Sequence, residues 1–580
     1  MSDAGHGDRS YVRCNVCEFR CSIPEGGAGR CRMITNRGGN LEEVFHQYFT
    51  FTFPVNSEAV PLLHFYPNHP FLAVGSIGCN FTCVGCISRT LTQRIKLATK
   101  LLRRRSLRDI IKEAVGLGCV GVAFILSEPT VTYWTFLRLA KLAKREGLLV
   151  GCSSNLYLTA DALSRLAPYL DFAVAGIKGF SPGIYARLSG GAEPAPVFRN
   201  IEFLVREGIH VEVTITYYRG LEDEVLHAAK AIASISPEIP FHIMVFTAPS
   251  EEYLGLEPDV GVAERLCDTI RREYLKYAYL FNIPGTKYLN TVVGGEEVIK
   301  REFFGPCSAK VTYFTRNAER VAGIKGHIAR ECPINAESFM LGYRVTGALE
   351  LIDSVLRFLG VTDETVRYEA LGNAIEQGFT DTIRSTLNNS PSPQELRGLM
   401  QAIAKLAGLS LSNHPKVLFI DKVTETIERL RARIVKPRKT YLCLGHPLYA
   451  KRKGSYQLEL LKFIGSECIN YSLSSSSTIG QNAGAEELKR LSPEVIFIDA
   501  HFPYSVEDFM RLSEEIGLDL NAIKHHRVYK VPPAYRGFHY WLLQALFMAS
   551  KTYSDTYPSS LVNNAEKCLL QGNCRLIMTG

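Results

Sequence analysis

The chain has 580 residues, 46% of them hydrophobic and 21% charged, and a net charge of +8. This excludes a disordered or fibrous protein and calls for more than one core, because single cores stop growing near about 250–300 residues. Basic and acidic residues alternate along most of the chain, so no nucleic-acid partner is expected.

Residues 1–60 read as a cysteine-rich module and its lead-in; within it, residues 11–35 hold Cys, Gly and Arg with little periodicity and are expected to fold around a metal. Over 61–300, short β-prone runs recur at Phe71–Ser76, Cys119–Ile125, Leu148–Ser153, Asp171–Gly176, His210–Thr216 and Phe241–Phe246, with amphipathic stretches between them. Six strands alternating with helices predict an α/β fold with parallel strands, an open doubly wound sheet or a partly closed barrel, with functional groups at the strand C-terminal ends. Residues 301–414 read as a linker and a helical region, with helices at Glu337–Leu359, Asp363–Leu387 and Pro393–Ala407.

A further helix is expected at Lys422–Ile434, inside a last region, 415–580, where the α/β alternation returns. There, strands are predicted at Thr440–Leu444, Val495–Asp499 and Arg527–Val531, and helices near Tyr456–Ile464, Ser505–Ile516 and from Gly537. The run Ser472–Ser477 reads as a loop. No run of about 18 apolar residues occurs, and the first thirty residues are polar and cysteine-containing, so a cytoplasmic protein with no membrane span is expected.

In a reducing compartment the sixteen cysteines are poor disulfide candidates, and seven of them fall in two tight clusters before residue 90. The second cluster is Gly75-Ser-Ile-Gly-Cys79-Asn-Phe-Thr-Cys83-Val-Gly-Cys86, spaced C-x3-C-x2-C directly after the first predicted strand. Three thiolates hold three irons of a four-iron cluster and leave the fourth open to a small molecule; the alternative is a zinc site short of one ligand. The first cluster, Cys14, Cys17, Cys21 and Cys31, has enough thiolates to close a zinc site or to ligate a second iron-sulfur cluster.

The C-x3-C-x2-C segment resembles the signature of radical S-adenosylmethionine (SAM) enzymes, especially the group similar to pyruvate formate-lyase-activating enzyme, with likeness over roughly 11–291. The resemblance implies a partial (β/α)6 barrel in which Cys79, Cys83 and Cys86 hold a 4Fe-4S cluster. The open iron there chelates the methionine moiety of SAM, and reduction releases a 5′-deoxyadenosyl radical that abstracts hydrogen. It further implies that Glu128 of Ser127-Glu-Pro neighbours the methionine amine, and that Ser154, Asn155, Gly176, Lys178 and His242 lie against the cofactor. Two departures stand out: Gly85 replaces an aromatic residue that packs on adenine, and Gly176 replaces an aspartate. Tyr279-Leu-Phe-Asn282 and Asn290-Thr291 resemble the end of this group's barrel, but Val292-Val-Gly-Gly-Glu follows where a cysteine motif is common, and Cys307 and Cys332 are not expected to replace that motif.

Between Lys96 and Arg108, Arg103-Arg-Arg105 reads as a solvated helix face or as a dock for an acidic low-potential electron donor such as flavodoxin or ferredoxin. The region from about Pro415 to Pro558 resembles the second half of periplasmic-type metal-chelate binding proteins, on Ala485–Asp499 and Lys524–Pro532. His525 and His526, at a predicted strand start, point to opposite faces and do not share a metal; they read as polar rim residues of a substrate-binding lobe, the alternative being that one of them ligates a metal with His501 or His539. The expected function is a radical SAM enzyme of metallocofactor or small-molecule biosynthesis. The alternatives are activation of a glycyl radical enzyme, with a protein substrate, and a non-enzymatic cytosolic chelate carrier or redox sensor.

Overall fold

The computed structural model describes residues 11–249, 251–305, 308–334, 341–412, 414–474, 480–533 and 540–571. The chain divides into two units: one takes residues up to 246 with 262–282 and 287–342, the other takes 247–261, 283–286 and everything from 343 on.

The first unit is built on one eight-stranded sheet. Its strands are β1 (Phe51–Asn56), β2 (Pro70–Gly75), β3 (Gly121–Phe124), β4 (Leu149–Ser154), β5 (Phe172–Ile177), β6 (His210–Tyr217), β7 (Phe241–Val245) and β8 (Ala278–Leu280), and they are hydrogen-bonded in that order. From β2 to β8 every pairing is parallel, as expected for a radical SAM partial barrel. All six strands predicted in this region are present. Strands covered on both faces read as apolar runs, and Pro70–Gly75 is buried throughout. The crossover helices each turn one apolar face inward: Leu107, Ile110, Ile111 and Ala114 recur at helical spacing along Leu107–Gly116, as do Phe136, Leu139, Ala140 and Ala143 along Tyr133–Arg145.

Two strands of this sheet go beyond the sequence expectation. β8 has only three residues, too few for periodicity to register. β1 contains Pro54, which cannot donate to a ladder on both sides; it runs antiparallel to β2 as an edge strand, with Pro54 opposite Leu72. Residues Thr291–Val293 (β9), Glu296–Gly305 (β10) and Ser308–Phe314 (β11) form a separate antiparallel sheet.

The second unit carries a six-stranded sheet: β12 (Lys439–Cys443), β13 (Tyr449–Lys451), β14 (Glu467–Cys468), β15 (Gly480–Asn482), β16 (Val495–Ile498) and β17 (Val528–Lys530). The order is β15-β13-β12-β16-β17, with β14 also on β12. Strands β12, β16 and β17 are parallel.

Helices lie at Leu341–Phe358, Pro393–Leu406 and Pro415–Arg431. The helix expected over 363–387 is instead two, Glu364–Glu376 and Phe379–Asn388, because Gly378 adopts φ +66° and breaks the ladder. His525 and His526 do not open the strand: they follow the short helix Asn521–Lys524 and are exposed, so strand alternation does not govern them. Cys307, His539, Gly537, the start of the helix expected from Glu337 and part of the 472–477 run lie outside the described residues. No helix among the described residues is long and apolar enough to cross a membrane.

Candidate active site

The loop after β2 carries Cys79, Cys83 and Cys86 at the C-terminal edge of the sheet. Two main-chain bonds fix it to the end of the helix Pro182–Ser189: Thr82 N donates to Ser189 O at 2.9 Å and Val84 N to Leu188 O at 3.1 Å. These carbonyls belong to the last turn, where a helix leaves its acceptors unused. The helix stops because Gly190 takes φ +80°, and a Cβ there would stand 1.9 Å from Thr82 Oγ1. Gly85 has φ +59°, so the turn before Cys86 demands glycine where the resembling family has an aromatic side chain.

Within this loop Cys79 Sγ accepts from Phe81 N at 3.3 Å and from Asn155 Nδ2 at 3.7 Å, while Cys86 Sγ lies 3.7 Å from Thr92 Oγ1. Burial, then the charges of Glu128 and Cys83, hold the Cys79 thiol well above its ordinary range. Burial pushes Cys83 up to about 11 against the pull of Lys178. Three thiols on one loop beside a carboxylate are a poor apolar cluster but a good donor set for a metal centre, whose charge turns thiols into thiolates.

Glu128 follows β3 and is buried. Its Oε1 accepts from Ser154 Oγ at 2.6 Å, Thr130 Oγ1 at 2.7 Å and Thr130 N at 3.0 Å, and its Oε2 accepts from Asn155 N at 2.9 Å. Every one of these donors is neutral, so the carboxylate is solvated by the fold while its charge is not cancelled. Asn155 links this group to the cysteines, since its Nδ2 also donates to Asn80 Oδ1 at 2.8 Å. Glu128, Ser154, Asn155 and Cys79 thus form one connected set at the ends of β2, β3 and β4.

Gly176 and Lys178 close the neighbouring edge. A Cβ on Gly176 would lie 3.4 Å from Lys178 Nζ and 3.7 Å from Thr214 Oγ1. His242 pairs in register with Thr214, itself in register with Gly176, but it is fully buried and its Nε2 donates to Glu212 Oε2 at 2.7 Å. Its Nδ1 is buried without a partner. Glu212 also accepts from His210 Nε2 and from the main chain of Leu63 and His64. Burial raises its pKa, but these hydrogen bonds and the imidazole charges outweigh burial and hold it well below the carboxylate range.

Sequence reading missed Asn80 and Glu212. Asn80 sits between two motif cysteines, where only a contact could reveal its role; Glu212 is a lone acid in an apolar strand, a signal that was available.

The N-terminal cysteines share one cavity, and among the described residues no three His, Cys, Asp or Glu side chains stand close enough to hold a single ion. Cys332 is partly buried, its Sγ directed to Ile334 O. The basic run is not a helix face: Arg103–Arg104 is an exposed two-residue strand, because it pairs with Tyr48–Phe49. Arg105 is tied to Glu113 at 2.7 Å.

The second unit has its own polar group at the ends of β13, β16 and β17. Asp499 directly follows β16 and is buried; it pairs with Lys451 and accepts from His501 Nδ1 at 3.0 Å and His501 N at 2.9 Å. Burial raises the Asp499 pKa, but the Lys451 and His501 charges pull it far below the usual range. Lys530, at the end of β17, donates to Phe502 O at 3.2 Å, and burial lowers its pKa against the pull of Glu257, Asp499 and Asp508.

Comparison with known proteins gives three kinds of match. An uncharacterized protein of Methanocaldococcus jannaschii is 28% identical over 289 residues, 49% of this chain and 85% of its own length. Streptococcus suis SuiB bound to precursor peptide SuiA shares 16% identity over 38% of this chain and 50% of that one, with a TM-score of 0.30. Helicobacter pylori CeuE with Ni(II) bound shares 20% identity over 31% of this chain and 60% of that one, with a TM-score of 0.27. This chain thus spans little more than half of those two structures, and no argument rests on either. Residues 74–232 match the Radical SAM superfamily, and this segment contains the three-cysteine loop, Glu128, Ser154, Asn155, Gly176 and Lys178: the chain carries a radical SAM domain.

Proposed function

We propose that this protein is a cytoplasmic enzyme that reductively cleaves SAM and acts by hydrogen abstraction on a metallocofactor or other small molecule. The observation that carries the reading is the connected set of Cys79, Asn155, Ser154 and Glu128 at the strand ends, with Cys83 and Cys86 on the same anchored loop. A 4Fe-4S cluster with SAM, when bound, supplies a 5′-deoxyadenosyl radical.

The chain's own residues do the rest. Cys79, Cys83 and Cys86 ligate three irons. Glu128 offers uncancelled negative charge to an ammonium group and keeps Ser154 and Asn155 in place. Lys178, whose charge reaches Cys83, is placed to meet a carboxylate. His242 is fully buried against Tyr279 and Phe281, its Nε2 held by Glu212 and its Nδ1 without a partner. Around Asp499, Lys451 and Lys530 are met by three buried carboxylates, Asp499, Asp508 and Glu257, so this group is balanced within the fold. Exposed Arg103 and Arg104 suit docking of a flavodoxin or ferredoxin.

The test is anaerobic: protein reconstituted with iron and sulfide is reduced with dithionite and given SAM, and 5′-deoxyadenosine is measured. Product that disappears in Cys83→Ala supports the reading. A well-formed cluster that yields no product and whose spectrum does not respond to SAM overturns it.

A further inference from the structure

The geometry points to Glu224 as a positioning residue for the radical site: from the helix Glu222–Ile235 it fixes the turn that carries Lys178 and, through the helix Pro182–Ser189, the cysteine loop. The inference deepens the radical SAM reading and rests on it for the role of Lys178.

β5 ends at Ile177, and the chain turns through Lys178–Ser181 before the helix Pro182–Ser189 begins. Glu224 ties that turn down. Its Oε2 accepts from Phe180 N at 2.7 Å and from Ser181 N at 2.9 Å, and its Oε1 accepts from Ser181 Oγ. Ser181 makes no cap with its own side chain, so the negative charge at this helix start comes from Glu224. Gly179 has φ +127°, and a Cβ there would stand 3.0 Å from Glu224 Oε2; the main chain comes this near the carboxylate because it carries no side chain at that point. Phe180 packs on Phe198 and on His227 of the same helix as Glu224, with ring centres 5.8 Å and 5.9 Å away. Glu224 is buried. Burial raises its pKa, but the Ser181 hydroxyl and the two amides outweigh burial and hold the carboxyl below its ordinary value.

The helix that starts here is a strut of eight residues, about 12 Å long. Its far end gives Ser189 O to Thr82 N and Leu188 O to Val84 N, so a shift at the Glu224 end is carried to the cysteines. The segment leading into the Glu224 helix grips the same loop directly: Tyr218, which follows β6, donates from its hydroxyl to Val84 O at 3.0 Å. Burial, then the charges of Cys83 and Cys86, raise the Tyr218 phenol, and the Lys178 charge in turn reaches Cys83. Residues 218–224 therefore hold the cysteine loop at one end and the Lys178 turn at the other, and the hydrogen bonds of Glu224, among the described residues, all go to that turn.

The test has two arms on the full chain. In the first, SAM binding to the reconstituted protein is measured by equilibrium dialysis. Glu224→Ala is expected to weaken it about tenfold, and Glu224→Gln, whose carbonyl oxygen still accepts an amide, to recover most of the loss. In a Lys178→Ala background Glu224→Ala should add little, because the two act through one group. Additive losses, or an unchanged affinity in a variant that only unfolds at lower urea, overturn the positioning of Lys178. Gly179→Ala, which crowds the same carboxylate, should reproduce the loss and decides the matter if Glu224→Ala does not fold. The second arm needs no SAM: in the metal-free protein, amide hydrogen exchange over residues 79–86 should quicken several-fold in Glu224→Ala or Gly179→Ala, while Pro70–Gly75 is unchanged. Equal exchange in the loop overturns its positioning by Glu224. A wild-type protein that binds no SAM would refute the radical SAM reading and leave the exchange result standing.

Discussion

Glu128 and Asp499 occupy equivalent places in two different sheets, each a buried carboxylate just beyond a parallel strand, and their surroundings are opposite. Glu128 is held by two hydroxyls and two main-chain amides, so its negative charge remains to be used. Asp499 is spent on Lys451 and His501, and Lys530 nearby is also met by the buried Asp508 and Glu257, so charge there is balanced within the fold. The same residue class at the same topological position therefore leaves one unit a carboxylate for a cationic group and closes an internal ion pair in the other. Burial is identical in kind; the partners decide what is left over.

The largest test of this contrast is Asp499→Asn. Removing the anion strands Lys451 and His501 beside each other, and a broken buried pair of this kind costs about 3–5 kcal/mol. The midpoint of urea unfolding followed on the second unit should fall accordingly, whereas a change near zero would mean that the pair is solvated. The wild-type Asp499 contribution has a defined acid limit: with its folded pKa depressed, it is present above the ordinary value of about 4 and lost as the pH falls below it.

Next in size is Glu128→Gln, which keeps shape, removes charge and turns an amide toward neighbours that are all donors. SAM affinity is expected to fall by about 2 kcal/mol, roughly thirtyfold, measured by equilibrium dialysis on the reconstituted protein. An unchanged affinity would reduce Glu128 to a brace for Ser154 and Asn155.

A comparable effect is expected from His64, buried and neutral, with its Nε2 2.6 Å from Tyr279 OH. Burial is the main cause that lowers it to about 3. Its stabilising share is therefore present above about pH 6.5 and lost progressively on the way down, about 2 kcal/mol by pH 5. His64→Gln should flatten that part of the stability profile. The smallest effect belongs to the surface: Arg103→Gln with Arg104→Gln should weaken reduction by a flavodoxin several-fold at low salt and not at all at high salt.

Much of the barrel was legible because its strands are apolar runs of ordinary length, bounded by helices with a clear inward face. What escaped was short or interrupted: β8, with three residues, and β1, with its proline. The misread pieces share one cause, local conformation that periodicity does not encode. Gly378 splits a helix, and His526, at φ +52°, ends a helical turn rather than opening a strand. At the site, the cysteine spacing announced the thiols, and only the resemblance of the segments after the strands to a known family named Glu128, Ser154 and Asn155. Their mutual wiring, and the place of Asn80 within it, exist only after the strands are laid side by side. The Lys451, Asp499, His501 and Lys530 group was half visible, as an acid ending the run Val495–Ile498.

The anchoring of the cysteine loop to Ser189 O and Leu188 O bears on how the centre is assembled. Where a metal must order its own ligands, affinity and folding are one quantity and chelation unfolds the protein. Here the loop's shape is underwritten by a helix end belonging to a distant part of the chain. Iron should therefore enter a socket already formed, and chelators should strip the cluster held by Cys79, Cys83 and Cys86 without melting the barrel. A substitution at Gly190, which touches no iron, should be felt as slow or incomplete cluster loading.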